Sequence, residues 1–227
     1  MSTARQTSLP TLRDGDRLKQ PEFHRRYQAY PDNVKIELIG GIVYMASPLR
    51  LSHGRHHLEL AWIFGCYKCQ TPGVCGADNT TTILGPDSEP QPDLSLRILP
   101  EYGGQSRSDE DDYLVGPPEL VAEVADSSED FDRRVKKVDY RKARVQEYLV
   151  LCLKEKALHW FDFRAGKKIV ANRQGIHRSR VFPGLWIDAT ALLALDSQRQ
   201  TRVLRQGLAS REHAAFVKKL DAARKRR

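Results

Sequence analysis

Two short apolar segments, each with one carboxylate among apolar neighbours, constrain this chain more than any other feature of its sequence. The first is Gln-Pro-Asp-Leu-Ser-Leu-Arg at 91–97, and the second is Pro-Pro-Glu-Leu-Val-Ala-Glu-Val-Ala-Asp at 117–126. Short apolar runs introduced by proline are typical of strands that begin at a turn. Burial of Asp93 and Glu123 in such strands is unfavourable unless a positive charge compensates them, and a divalent metal ion is a common solution. Two neighbouring strands would bring the two distant acids together.

The remaining hydrophobic pattern predicts one α/β domain over 20–196, with a mixed sheet and two principal helices. After a short helix at 20–29, the predicted order is a hairpin (34–38 and 42–45, across Gly40-Gly41), a helix (52–69), strands at 80–84, 92–97 and 117–126, a helix (129–144), and strands at 147–153 and 157–163. The segment 100–116 is predicted to be a long acidic loop. The predicted apolar stripes are Leu58, Ala61, Trp62 and Gly65 on the first long helix, and Phe131, Val135 and Val138 on the second.

The ends of the chain are predicted to lie outside this domain. Residues 1–19 are polar and are expected to form a largely flexible arm. Residues 197–227 form a basic tail, in which one amphipathic helix is predicted over 207–224. The segment 199–227 holds ten Lys/Arg and two acids, so the remaining chain has 27 of each sign, and the formal net charge of +8 belongs to the tail. Net charge alone therefore does not make the globular part a nucleic-acid binder.

The composition indicates the cellular compartment in which we expect this protein and the metal sites that its cysteines and histidines could form. No apolar run approaches the ~18 residues of a membrane span, and the polar N-terminus is unlike a signal peptide, so we expect a cytoplasmic protein without a membrane partner. Four cysteines fit that compartment as free thiols. The cluster Cys66, Cys69 and Cys75 invites a zinc interpretation, but no second ligand pair is present, and the first two could line a packed helix face. His53 and His57, four apart on a helix, could share a metal or simply line a site.

Several segments together resemble a known family. They are Ile-Glu-Leu-Ile-Gly-Gly-Ile-Val-Tyr-Met-Ala-Ser-Pro at 36–48, Pro-Asp-Leu-Ser at 92–95, the second acid-bearing strand at 117–124, Val-Gln-Glu-Tyr-Leu-Val at 145–150, and Phe-Pro-Gly-Leu at 182–185. In this order and spacing they are similar to the Uma family of endonucleases, within the PD-(D/E)XK, restriction-endonuclease-like superfamily. The resemblance covers nearly all of 20–196.

The resemblance implies a restriction-endonuclease-like core in which Asp93 opens one strand and Glu123 lies inside the next. It implies that these two acids, with the Val124 carbonyl, bind Mg²⁺ or Mn²⁺ for phosphodiester hydrolysis of a nucleic acid, with DNA expected. Many superfamily members carry a lysine two residues after the second acid, where this chain has Ala125. The resemblance places the catalytic lysine on the following helix, at Lys136.

Three further residues are weaker candidates for the site. Lys137 is the obvious substitute for its neighbour, since Lys136 could instead be half of a surface ion pair. Glu37 matches an acid of the family's hairpin motif, and His53 matches a histidine that opens its first core helix. Each of these could equally have an ordinary structural role.

The chain departs from the family pattern in three places. Ile42 stands where an acid is usual, and Arg144 stands where a glycine is usual. Asp126 lies in the sequence Ala-Asp-Ser-Ser at 125–128, where Leu-Ser-Pro-Ser is common. Three hypotheses therefore remain open. The first is a metal-dependent DNA endonuclease. The second is a catalytically decayed module on the same fold that binds DNA or a protein. The third is a structural partner, such as a homodimer, whose tail docks another chain.

Overall fold

The computed structural model describes residues 10–31 and 33–226. In chain order its strands are β1 (Ile36–Ile39), β2 (Ile42–Met45), β3 (Val74–Asp78), β4 (Thr82–Ile83), β5 (Leu94–Ile98), β6 (Arg107–Ser108), β7 (Leu114–Val115), β8 (Leu120–Ala125), β9 (Glu147–Cys152), β10 (Ala157–Asp162), β11 (Lys167–Lys168), β12 (Ile176–Arg178) and β13 (Trp186–Asp188). The helices are α1 (Gln20–Tyr27), α2 (Leu51–Cys69), a 3₁₀ turn (Pro100–Tyr102), a π-helical segment (Phe131–Lys136), α3 (Lys137–Lys142), α4 (Ala189–Ala194), α5 (Ser197–Leu208) and α6 (Arg211–Arg224).

A six-stranded mixed sheet forms the centre, in the order β11-β10-β9-β8-β5-β3. The pair β8–β9 is parallel, whereas the other pairs of this sheet are antiparallel. Every residue of β8 and β9 is buried, as expected for strands covered on both faces. The predicted mixed α/β sheet with flanking helices is confirmed.

Alternation along the strands divides the core between the two faces of the sheet. Leu120, Ala122 and Val124 of β8 pack on one face, together with residues of α2, α5 and α6. Val121 and Ala125 pack on the opposite face with Tyr140 of α3. Because side chains alternate in a strand, Glu123 shares this second face, below the segment 131–142.

The predicted apolar stripes of the two long helices are wrong at most positions, although Ala61 of the first stripe packs against the main core. In α2, Leu58 is 71% and Trp62 38% exposed, while His53, Leu60, Ile63, Phe64 and Tyr67 are buried. In the segment 131–142, Val135 is 40% and Val138 53% exposed, while Asp132, Lys136, Asp139 and Tyr140 are buried. The second helix turns a charged face inward because that face lies against the acids of the sheet and hairpin, where opposite charges and hydrogen bonds compensate burial.

The strand predicted at 80–84 is also placed differently. Only Thr82–Ile83 is a strand, and it pairs with β7 outside the central sheet. The edge strand of the central sheet is instead β3, whose sequence Val-Cys-Gly-Ala-Asp has little β-strand character. The predicted loop 100–116 contains the 3₁₀ turn, β6 and β7.

The N-terminal hairpin β1–β2 turns at Gly40 and Gly41, whose φ angles of 59° and 80° suit a tight two-residue turn. The arm predicted to be flexible differs from that expectation over 10–19, because Leu12 is 2% exposed and Arg17 forms a bridge to Ile42. Residues 1–9 of that arm lie outside the described part.

The C-terminal segment forms two helices, where the sequence predicted one helix in a separate tail. Ser210 interrupts the run, and its Oγ accepts the N–H of His213 at 3.2 Å as the cap of α6. Leu204, Phe216 and Leu220 join the main core, so α5 and α6 are part of the folded unit. In the described part of the chain, no helix combines the length and apolar composition needed to cross a membrane.

Candidate active site

A cavity of about 240 Å³ opens where the hairpin, the start of α2, the strands β5 and β8 and the π-helical segment meet. Eight lining residues carry charged side chains of the Asp, Glu, Lys or Arg type: Lys35, Glu37, Arg50, Asp93, Glu123, Asp126, Asp132 and Lys136. Five are acids and three are bases, which leaves an excess of two negative charges if all are ionised. The cavity is therefore electrostatically suited to a cation.

Asp93 and Glu123 lie side by side at this cavity. The pairing of Leu94 with Ala122 in the antiparallel pair β5–β8 brings the preceding Asp93 next to the following Glu123. The N–H of Val124 donates to Asp93 Oδ2 at 2.8 Å, and the N–H of Asp93 lies 3.4 Å from Glu123 Oε2. The side chains are buried, with residue exposures of 6% and 3%. The structure thus brings together the two acids singled out in the sequence.

Lys136 reaches the same place from the π-helical segment. Its Nζ lies 3.0 Å from Glu123 Oε1, 3.0 Å from Glu37 Oε2 and 3.9 Å from Asp132 Oδ1. Burial alone would lower the pKa of Lys136, but these three carboxylates and Asp93 together raise it well above its ordinary value. Lys136 is therefore a fixed buried cation, and the alternative of a surface ion pair is wrong.

Tyr140 holds the other side of Glu123. Its hydroxyl donates to Glu123 Oε1 at 2.8 Å, on the same oxygen that Lys136 contacts. Burial, followed by the charges of Glu123 and Glu37, raises the pKa of Tyr140 well above its ordinary value, so the phenol keeps its proton and donates it. Glu123 Oε2 remains on the side of Asp93.

Glu37 connects the hairpin to the site. In addition to Lys136, it accepts the N–H of Gln91 at 2.7 Å through Oε1. The hairpin is also tied to α3, because Asp139 accepts the N–H of Gly40 at 3.1 Å and the hydroxyl of Ser88. The structure therefore places Glu37 with Asp93, Glu123 and Lys136.

His53 and Lys35 face the free oxygen of Asp93. His53 Nε2 is 3.7 Å and Lys35 Nζ 3.8 Å from Asp93 Oδ1, in ion-pair contacts too long for hydrogen bonds. His53 Nε2 is buried without a hydrogen-bond partner among the described residues. His57 Nε2 instead lies 3.1 Å from the Asp93 carbonyl oxygen and 3.1 Å from Asp78 Oδ1. The two histidines therefore do not point to a common site.

Asp132, Lys35 and Tyr140 are site residues that sequence reasoning missed. Asp132 is 3% exposed, and its Oδ2 accepts the Ser128 hydroxyl at 2.5 Å. Burial and then the charge of Glu123 raise the pKa of Asp132 to about 7, against the opposing effect of Lys136. The spacing Asp132, Lys136, Tyr140, at four-residue intervals, was the available signal, since it marks one face of a helix.

The other candidates lie elsewhere or have structural contacts. Lys137 does not line the cavity, because its Nζ lies over the Phe161 ring, 4.2 Å from its centroid. Asp126 accepts the Ser52 hydroxyl at 3.1 Å and so fastens the start of α2 to the end of β8. Arg144 has a φ of 68°, in the left-handed region that favours glycine.

The cysteine cluster does not form a metal centre. Within residues 10–31 and 33–226, the grouping of three or more potential ligands that meets metal-like distances is Cys152, Glu155 and His159, and it contains none of Cys66, Cys69 or Cys75. The zinc interpretation of those three cysteines is therefore not supported.

Comparison with known proteins agrees with this architecture. A family model described as "Uma2: Putative restriction endonuclease" matches residues 21–191. A solved structure of a putative nuclease of the DUF820 family from Anabaena variabilis is similar with a TM-score of 0.58 and 13% identity, covering 75% of this chain and 96% of that one. No curated protein matches the chain significantly. At that identity the solved structure supports the fold, whereas the family model identifies the family.

Proposed function

The chain belongs to the Uma2 family of restriction-endonuclease-like proteins, and on this basis we propose that it is a metal-dependent endonuclease that hydrolyses the phosphodiester bonds of DNA. The observation that carries the proposal is the convergence of Asp93, Glu123 and Lys136 from three separate elements on one cavity. Two acids can hold a divalent metal ion, and a lysine beside them can stabilise the negative charge that develops on a phosphodiester during hydrolysis.

Asp93 and Glu123 would hold Mg²⁺ or Mn²⁺. The donor set fits such an ion. Among the residues that the structure describes, Asp93 Oδ1 has only long contacts and Glu123 Oε2 has only the 3.4 Å contact with the Asp93 N–H, while the other oxygen of each carboxylate is occupied. Mg²⁺ commonly takes one or two protein carboxylates and keeps several waters. When bound, the ion supplies Lewis acidity and lowers the pKa of a coordinated water. The excess negative charge of the cavity provides the electrostatic reason for its binding.

Lys136 would stabilise the negative charge that develops on the phosphate. Its raised pKa keeps the ammonium group charged, and its contacts with Glu37 and Glu123 hold it in one position before the substrate arrives. Tyr140 would act as a positioning residue by fixing Glu123 through Oε1. Lys35 and Arg50, which also line the cavity, would offer cationic contacts to the nucleic-acid backbone.

The proposal is tested by the nicking of supercoiled plasmid with Mg²⁺ or Mn²⁺. Asp93→Asn and Glu123→Gln, which preserve shape, should reduce nicking by at least about 100-fold, and Lys136→Ala should reduce it by about 10²–10³-fold. Asp111→Ala, at an exposed acid outside the cavity, and Lys137→Ala should nick at the wild-type rate. Circular dichroism should verify that each variant is folded.

The outcome distinguishes the nuclease from a decayed binding module. Equal nicking by wild type and Asp93→Asn would remove Asp93 from the mechanism. DNA binding without nicking, unchanged by Mn²⁺ and by Asp93→Asn, would instead support the module.

A further inference from the structure

A second set of potential metal ligands lies at the turn between β9 and β10, outside the cavity described above. The set consists of Cys152, Glu155 and His159. Each offers one ligand atom, and the sulfur, the carboxylate oxygen and the ring nitrogen all lie within 4.8 Å of one another. The spacing is Cys-x₂-Glu-x₃-His. None of the three lines the candidate active-site cavity.

The hairpin itself brings these side chains together. Cys152 pairs with Ala157, and His159 pairs with Val150, two residues before the cysteine. Side chains two residues apart in register lie diagonally on the same face of an antiparallel pair, within reach of each other. Glu155 returns over that face from the turn. Glu129 fixes the turn by accepting the N–H groups of Lys154 and Glu155 at 2.7 and 3.2 Å.

The His159 ring leaves a nitrogen available to an ion. Its Nε2 is buried, with no hydrogen-bond partner among the described residues, although it lies 3.2 Å from Glu155 Oε1 in an ion-pair contact. The ring nitrogen and that carboxylate oxygen face each other at a separation suited to two ligands of one ion, so an ion between them would be bound by both. Glu155 Oε2 is held by Arg133, which leaves Oε1 on the side of the histidine.

We propose that Cys152, Glu155 and His159 bind a divalent metal ion of the zinc class, at a site separate from Asp93 and Glu123. Thiolate, imidazole and carboxylate form the mixed ligand set that Zn²⁺ accepts, whereas Mg²⁺ and Ca²⁺ select oxygen alone. Binding forms a metal–sulfur bond, releases the thiol proton to solvent and leaves the oxidation state of the ion unchanged. Two negative ligands neutralise the ion, and solvent can take the fourth position because the Glu155 side chain is 39% exposed.

The ion would act as a clamp on the hairpin. It would join the end of β9 to β10 and to the turn, and Arg133 would link this clamp to the π-helical segment that carries Lys136. A ligand that binds only the folded state raises its stability in proportion to the logarithm of its concentration above the dissociation constant. Zinc should therefore raise the melting temperature of this protein.

The test uses the full chain, stripped of metal with a chelator, and Co²⁺ as the probe. Wild type should bind one Co²⁺ at this site with thiolate-to-metal absorption in the near ultraviolet, which Zn²⁺ then displaces. Cys152→Ser should lose the absorption, and His159→Gln and Glu155→Gln should weaken it at least about tenfold. Cys66→Ser, at another free cysteine, and Asp93→Asn should keep it.

If Cys152→Ser fails to fold, His159→Gln and Glu155→Gln still test the proposal, because His159 is half-buried and Glu155 is exposed. Absence of thiolate absorption in folded wild type, or its persistence in Cys152→Ser, would overturn the proposal. Binding of Co²⁺ without thiolate absorption, lost in Asp93→Asn and kept in Cys152→Ser, would place the ion in the other cavity, whose lining holds no cysteine, and would likewise overturn the proposal. A zinc-dependent rise in melting temperature should likewise disappear in His159→Gln and remain in Asp93→Asn.

Discussion

The buried charges of the cavity depend on one another at the scale of single residues. Lys136 contacts Glu37, Glu123 and Asp132, so removal of the ammonium group leaves several acids in a site with little solvent. Breaking a buried ion pair from one side typically costs about 3–5 kcal/mol. Asp93→Asn, at an acid whose ion-pair contacts are all longer than 3.5 Å, therefore separates chemistry from stability more cleanly than replacement of Lys136 or of its partner Glu123 does.

Glu147, at the start of β9, should make the free energy of unfolding depend on pH. The residue is 0% exposed and accepts hydrogen bonds from Trp160 Nε1, Ser179 Oγ and the N–H groups of Arg180 and Val181. Burial, with a smaller effect of Asp162, raises the pKa of Glu147 from 4.5 to about 7 despite these donors. The folded state therefore holds the proton more tightly than the unfolded state does.

The contribution of Glu147 to stability should be fully present below pH 4.5 and lost as the pH rises through about 7. Its size is on the order of 3 kcal/mol. Urea unfolding should show the advantage of wild type over Glu147→Gln shrinking between pH 5 and pH 8. The same comparison with Glu110→Gln, at an exposed acid, should give a difference independent of pH. A constant difference for Glu147→Gln would contradict the prediction.

Arg144 should be a site of easy stabilisation. Its φ of 68° is unfavourable for a residue with a β-carbon, and glycine removes that cost. Arg144→Gly should therefore raise the free energy of unfolding by about 1 kcal/mol. Arg141→Gly, three residues earlier inside α3, should lower it by a similar amount, since glycine is unfavourable in a helix. A loss of stability in Arg144→Gly would show that its side chain has a compensating contact.

At the scale of elements, the 131–142 helix and the hairpin assemble the cavity as a pair. The π-helical segment supplies Asp132 and Lys136, and α3 supplies Tyr140 to the site and Asp139 to the hairpin turn. π-Helical turns are uncommon in proteins as a whole, but those that do occur are often found at functional sites. Lys136 thus reaches Glu123 of β8 from a neighbouring helix, whereas β8 itself has Ala125 two residues after that acid.

The packing of α5 against the Phe182-Pro183-Gly184-Leu185 turn should depend on Gly207. A β-carbon at Gly207 would lie 2.2 Å from the Gly184 carbonyl oxygen and 2.8 Å from the Trp186 ring. Gly207→Ala should therefore lower the free energy of unfolding by about 1–3 kcal/mol in chemical denaturation. Gly65→Ala on α2, where nothing lies within 4 Å of the new carbon, should instead raise it by about 0.5–1 kcal/mol. Equal effects at the two positions would contradict the proposed close contact.

At the scale of the whole molecule, we expect the basic C-terminal helices to be required for the fold, because three of their apolar side chains lie in the main core. Leu204, Phe216 and Leu220 are 2%, 8% and 3% exposed in the main core. At about 1.5–3 kcal/mol for each buried apolar side chain, their loss would remove roughly 5 kcal/mol or more. This is comparable to the whole stability of an ordinary domain.

Deletion of 197–227 should therefore abolish cooperative thermal unfolding, measured by calorimetry or circular dichroism. Deletion of 225–227 alone, which removes three basic residues beyond α6, should leave the melting temperature unchanged. A wild-type melting temperature for the longer deletion would show that α5 and α6 are dispensable. The two deletions also bear on any test of oligomeric state. A change in particle mass after deletion of 197–227 would reflect unfolding as well as loss of a docking surface.

The sequence by itself determined the local features of this protein. The turn at Gly40-Gly41, the buried strands β8 and β9 and the positions of Asp93 and Glu123 follow from proline and glycine placement and from runs of apolar residues. These signals act over a few residues, so they do not depend on the remainder of the chain. The ordered family motifs then added the fold and the candidate lysine.

The tertiary structure alone decided which faces are buried. An apolar stripe predicts the inner face of a helix only where its neighbours are apolar, and the 131–142 helix lies against acids instead. For the same reason the sequence did not predict β3, because that edge strand is defined by its pairing with β5. It also did not predict that α5 and α6 pack into the core. Burial of Lys136 and Tyr140 is favourable only because Glu37 and Glu123 lie opposite them, and burial of Asp132 is compensated by Lys136 and the Ser128 hydroxyl. That complementarity is a property of the assembled fold.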